Sequence, residues 1–166
     1  MRNRLALALA LVLSGANAPT AIAGQPSGDS MAGMADMNMG GSTPAAASVH
    51  DGWFRALPGG LPSGGYFTLH NEGTTALTLT SASSPACGML MLHRSENAGG
   101  MSSMADVTSV DLPAGKSVSF APGGYHLMCM QPAAAMKPGG KVKVTFTFAG
   151  GTTLDADFAV RNAAGK

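Results

Sequence analysis

The sequence predicts an all-β domain, a Greek-key β-sandwich or barrel of short strands, behind a segment with no fold of its own. Three observations predict it. Only 11% of the 166 residues are charged, well under the usual quarter, and surface helices need Glu, Lys and Arg to solvate one face. Gly contributes 23 residues and Pro 10, and they gather into turns at short intervals. Between the turns, Thr, Val, Ser and Phe fall into stretches where apolar and polar residues alternate.

Residues 1–23 read as a secretory signal peptide rather than as fold. Arg2 and Arg4 form a basic start, and Leu5 to Leu13 is an apolar stretch too short to span a bilayer as a helix. Ala21-Ile22-Ala23 is a small-residue cleavage site, with Gly24 as the expected mature start. An earlier site, Ala16-Asn17-Ala18, is followed by Pro19 and fits less well. No cysteine lies near the cleavage site, which argues against a lipid anchor. No later segment is apolar enough to cross a membrane, so the mature protein is not expected to be membrane-embedded. Removing Arg2 and Arg4 turns the net charge of +1 into −1, which argues against a nucleic-acid partner. The mature protein is expected to be exported and to meet an oxidising compartment.

Residues 24–47 hold Gly, Ala, Ser, Pro, Asp and Met, with no aromatic or β-branched residue between Gln25 and Ser42. Such a stretch cannot bury enough apolar surface to offset the entropy of ordering, so disorder is expected. Four methionines, Met31, Met34, Met37 and Met39, mark it as unusual.

The folded domain is expected over 48–162. Strands are placed near 49–56, 64–71, 76–82, 88–95, 106–112, 116–121, 125–131, 141–148 and 153–160. Turns separate them at Pro58-Gly59-Gly60, Asn71-Glu72-Gly73, Ala98-Gly99-Gly100, Pro113-Ala114-Gly115, Pro122-Gly123-Gly124, Pro138-Gly139-Gly140 and Gly150-Gly151. Alternation is clearest where Val142, Val144, Phe146 and Phe148 share one face and Lys141, Lys143, Thr145 and Thr147 the other. Trp53 and the few other aromatics are expected in the core.

The sequence carries no HExxH, no G-x-S-x-G, no nucleotide-binding glycine pattern and no CxxC. Its nine acidic residues are scattered. Nothing invites an enzymatic reading. What stands out is sulfur and imidazole, with twelve Met and four His. In Tyr125-His126-Leu127-Met128-Cys129-Met130, alternation puts His126, Met128 and Met130 on one face and Leu127 and Cys129 on the other. In Met89-Leu90-Met91-Leu92-His93, residues 89, 91 and 93 share a face. Between them lies a loop, Gly99-Gly100-Met101-Ser102-Ser103-Met104, with two further thioethers. Methionine often fills irregular cores, but two His-Met strands beside a Met loop are hard to explain that way. Imidazole and thioether form a neutral, soft donor set that suits Cu(I), whereas zinc prefers thiolate, imidazole and carboxylate. Binding should change little near neutral pH and fail once the imidazoles protonate.

His93 and Met104 are separated by ten residues, Met104 and His126 by 21, and His126 and Met128 by one. This H-x10-M-x21-H-x-M spacing resembles the motif of the PCu(A)C family of periplasmic copper chaperones. His50-Asp51-Gly52-Trp53-Phe54-Arg55, Gly64-Gly65-Tyr66-Phe67-Thr68-Leu69 and Pro122-Gly123-Gly124-Tyr125-His126-Leu127-Met128 are similar to that family's strands. The likeness runs over about residues 48–160. It implies a cupredoxin-like barrel and a Cu(I) site made of His93, Met104, His126 and Met128. It also implies copper delivery toward the CuA centre of cytochrome c oxidase, directly or with an assembly factor. Met101 and Met130 are candidate auxiliary ligands. Met31, Met34, Met37 and Met39 are candidates for a weak copper-collecting arm, since a tether raises local metal concentration. His50 and His70 read as surface residues.

Cys87 and Cys129 are the only cysteines. In an exported protein an even pair suggests a disulfide. Two buried thiols are the rival, and a third reading makes Cys129 a ligand, although alternation turns it from His126 and Met128. The alternatives to a chaperone are an electron-transfer cupredoxin, whose blue-copper site needs a Cys thiolate, copper storage or detoxification, and a metal-free interaction module.

Overall fold

The structure is a computed structural model and describes residues 45–98 and 101–166. The expected signal peptide, and Met31, Met34, Met37 and Met39, lie outside the described residues. So do Gly99 and Gly100.

Ten strands form the domain: β1 (Ala47–Arg55), β2 (Ser63–Asn71), β3 (Leu77–Ser83), β4 (Cys87–Ala98), β5 (Met101–Asp106), β6 (Val110–Leu112), β7 (Ser117–Phe120), β8 (Tyr125–Pro132), β9 (Lys141–Phe148) and β10 (Thr153–Arg161). A single 3-10 turn at Pro58–Gly60 is the only helical piece among the described residues. The strands make one sheet, ordered β5-β4-β8-β7-β2-β1-β10-β9-β3-β6. It curls until β3 packs against β4, so the inner face closes on itself as a half-barrel. All neighbours run antiparallel except β1 with β10 and the short meeting of β7 with β8.

The inner face is aromatic. Phe54, Phe120, Phe146, Phe148 and Phe158 are fully buried with Leu69, Leu79, Leu112, Leu127 and Val144. Phe67 stacks on Phe120 at 4.2 Å between ring centres and meets Phe158 edge-on at 5.4 Å. β9 follows the alternation read from sequence, with Val142, Val144, Phe146 and Phe148 buried. Among the described residues, Met136 is the one methionine in this core. Asn71, at the end of β2, is also fully buried. Its amide donates to the carbonyls of Thr75 and Leu112, and its side-chain oxygen accepts from the Gly73 N–H. A buried amide with its bonds met costs little, and this one closes the turn into β3.

Two close approaches need glycine. β1 has a bulge between His50 and Trp53, with Asp51 at φ 55. At Gly52 inside it, a Cβ would lie 2.8 Å from the Phe158 ring. On β2, a Cβ at Gly65 would lie 2.6 Å from Phe54 Cε1 and 3.0 Å from Leu127 Cβ. Gly65→Ala should therefore overpack the joint between β1, β2 and β8. A loss of about 1–3 kcal/mol is expected, read from the urea midpoint with an unchanged slope.

Three expectations need correction. The strand expected over 106–112 is two elements. Asp106 ends β5, and β6 crosses the sheet to pair with β3. The loop expected at 99–104 is largely strand, because β5 pairs with β4 from Ala98↔Met101 to His93↔Asp106. Ser, Ala and Asp have weak strand propensity, so this edge strand is held by backbone pairing that composition does not show. Trp53 is not core. It is half-exposed, with the Arg55 and Arg161 guanidinium carbons 5.6 and 4.9 Å from its ring centre. Phe54, next along β1, takes the inward position instead.

Candidate metal centre

β4 and β8 are antiparallel neighbours, and their register sets the site. Leu92 faces Leu127, and both side chains point into the core. One residue along, His93 faces His126 on the other side of the sheet. Opposed side chains on one face have Cβ atoms about 4.5–5.5 Å apart. The two imidazole rings meet edge to face with centres 5.7 Å apart.

The rings are held differently. His126 is 5% exposed, and its Nδ1–H donates to the Gly124 carbonyl at 3.1 Å. That bond fixes the tautomer and leaves the Nε2 lone pair free, the arrangement second-shell bonds give to metal-binding histidines. The Tyr66 ring stands 6.5 Å away. On β4, Nε2 of His93 lies 2.8 Å from Oδ1 of the exposed Asp106. Neither buried ring nitrogen of His93 makes a hydrogen bond, so this ion contact is the only polar contact its ring makes among the described residues. Nδ1 therefore has no polar neighbour and Nε2 has only the Asp106 carboxylate, an arrangement that is costly for a buried ring unless something else occupies it. A soft cation could take one of the two nitrogens.

Met128 lies two residues along β8 from His126 on the same face and is half-buried. It pairs with Gly64 of β2 on one side and Met91 of β4 on the other. Met104 sits on β5 opposite Ser95, diagonal to His93, and is 64% exposed. Met104, His126 and Met128 line one cleft of about 390 Å3, whose other walls include Arg55, Gly64 and Tyr66. His93 joins the group through its contact with the His126 ring. The structure thus collects the four singled-out residues on the outer face of β5, β4 and β8. Two imidazole and two thioether donors, all neutral, could hold a monovalent soft cation.

Of the auxiliary candidates, Met130 lies on the same face of β8, one pair beyond Met128. Met101 opens β5 opposite Ala98. His50 is exposed and bonds Ser48, and His70 bonds Ser117, both away from the cleft. Cys87 and Cys129 form a disulfide, and the fully buried Cys129 faces away from His126 and Met128. Sequence reading missed Asp106 and the wall of Arg55 and Tyr66, whose guanidinium carbon and ring centre are 5.5 Å apart. An acidic residue two places after Met104, on the same strand face, was the available signal for Asp106.

Residues 47–160 match the family model described as "Putative lipoprotein LpqE-like". A putative lipoprotein of Leifsonia xyli subsp. xyli is 30% identical over 118 residues, covering 70% of each chain. Among solved structures, the copper-bound PCuAC domain from PmoF2 matches with TM-score 0.58 at 21% identity, over 72% of this chain and 96% of that one. The apo PCuAC domain from PmoF1 matches with TM-score 0.60 at 20% identity, over the same shares. The Cu(I)-bound solution structure of DR1885 from Deinococcus radiodurans matches with TM-score 0.55 at 24% identity, over 75% and 83%. The half-barrel is thus the fold of PCuAC domains.

Proposed function

The chain belongs to the LpqE-like family, and from that premise we propose that it is an exported carrier of Cu(I), a copper chaperone rather than an enzyme. One observation carries the reading: two opposed imidazoles, one hydrogen-bonded at neither nitrogen and one with Nε2 left free, beside two thioethers on a single face. The copper-bound state of two neighbours of the same fold supports it. Copper here is cargo. His93, Met104, His126 and Met128 are the proposed ligands, and the neutral set gives Cu(I) its preference over Zn(II).

The two ends of the site have different roles in transfer. His126 and Met128 stand on β8, anchored by Leu127 and Cys129 in the core. Met104 stands on the outermost strand and is largely exposed. An acceptor ligand would replace the Met104 thioether first, while the imidazoles keep the ion seated until the exchange is complete. The proposed acceptor is the CuA domain of an oxidase subunit, or its assembly factor, met in the periplasm. The signal-like start, the disulfide and the lipoprotein description of the family support export. The disulfide speaks against the electron-transfer cupredoxin, because it leaves no thiolate for a blue-copper site.

The test is transfer. Two equivalents of the Cu(I)-loaded protein mixed with an apo CuA domain, followed by one-electron oxidation with ferricyanide, should give the acceptor's mixed-valence absorbance, and Zn(II) should fail to displace Cu(I) in competition. Copper kept by the donor would turn the reading toward storage or detoxification. Comparable zinc and copper affinities would overturn it.

A further inference from the structure

The β4–β8 face does not end at the two histidines. The ladder continues His93↔His126, Met91↔Met128, Met89↔Met130, three successive pairs on one side of the sheet made only of imidazole and thioether. None of the four methionines belongs to the buried core. Leu92, Leu127 and Cys129 fill the inner face beneath them, and Met89 is 58% exposed. Core packing does not account for two successive pairs of methionines on the outer face, Met89 exposed and Met91, Met128 and Met130 only half-buried.

We propose that Met89, Met91 and Met130 form a second, weaker Cu(I) site one to two pairs along the ladder from the histidines, with Met128 between the two sites. The inference rests on the reading that the chain carries Cu(I). Opposed and diagonal partners on one face lie close enough for long side chains to converge. Methionine has three rotatable bonds with which to do so. Three neutral thioethers select a soft monovalent ion and reject Zn(II). The site lacks an imidazole and stands in water, and ordering three flexible side chains opposes binding, so it fills after the histidine site. Because Met128 neighbours both, an ion on the outer thioethers can pass to His126 by exchanging one sulfur at a time. The pairs would then form a loading lane, opposite in direction from the exposed Met104.

The experiment uses the full chain with 13C-labelled methionine methyls, titrated with Ag(I), an air-stable d10 stand-in for Cu(I). The first equivalent should shift the methyls of Met104 and Met128. The second should shift Met89, Met91 and Met130 together. The triple variant Met89→Leu/Met91→Leu/Met130→Leu conserves volume and so the fold. It should lose the second step, with at least a tenfold weaker second binding constant. If the second equivalent goes to Met31, Met34, Met37 and Met39 while the ladder methyls stay unmoved, the second site is refuted. If the first equivalent leaves Met104 and Met128 unmoved, the histidine-site reading fails instead, whatever the ladder does.

Discussion

Replacing His126 and Met128 together with alanine should cut Cu(I) affinity by well over a hundredfold. Outer-shell partners of metal ligands are worth roughly 10–100-fold each, and these two are proposed to touch the ion directly. His126 is also the ligand whose geometry is set in advance, by the 3.1 Å bond to the Gly124 carbonyl. Its loss removes a donor that needs no reorganisation. Competition against a Cu(I) chelator of known affinity measures the change, and X-ray absorption of the parent protein should show nitrogen and sulfur neighbours. Affinity within tenfold of the parent would reject these residues as ligands. The fold should survive, because the inner face of β8 is carried by Leu127 and Cys129.

Removing the disulfide should have the opposite profile, a large loss of stability with little change in copper binding. Cys87 and Cys129 are 42 residues apart. A loop of that length restricts the unfolded chain by about 4 kcal/mol in the chain-entropy account, and about 2–4 kcal/mol is usual in practice. Cys87→Ala with Cys129→Ala should lower the melting temperature by roughly 10 °C, read by calorimetry. Cu(I) affinity should stay within about twofold, since Cys129 faces the core and the proposed ligands face the cleft. A fall beyond tenfold would show that the disulfide also holds the site in shape.

The two faces of the site strands were legible from the sequence for a simple reason. In β4 and β8 the inward residues are Leu and Cys and the outward ones His and Met, so period-two alternation separates them. β9 was legible in the same way. The rest depended on information that alternation does not hold. β5 has no apolar pattern, and its pairing with β4 is a backbone matter, so Met104 looked like a loop residue when it is a strand residue. The parallel pairing of β1 with β10 joins residues about a hundred positions apart, such as Trp53 and Ala159. Trp53 itself misled because size suggests burial. On β1 the inward place went to Phe54, and the Asp51 bulge sets which of the two turns in. The partner of His93, Asp106, became visible only once the β4–β5 register was known.

Among the described residues β5 lies at one end of the sheet order, bonded to β4 alone. An edge strand with no apolar face loses little when it frays, and local opening of that kind costs far less than global unfolding. The proposed ligand Met104 therefore rides on the element that detaches most cheaply, while His126 and Met128 ride on one flanked by β4, β2 and β7. On that reading the chance for an acceptor to reach a bound ion follows how often the margin of the sheet lifts, while the imidazoles keep the ion seated. A carrier made this way can hold its cargo firmly at equilibrium and still release it quickly to whatever catches the sheet with its border raised.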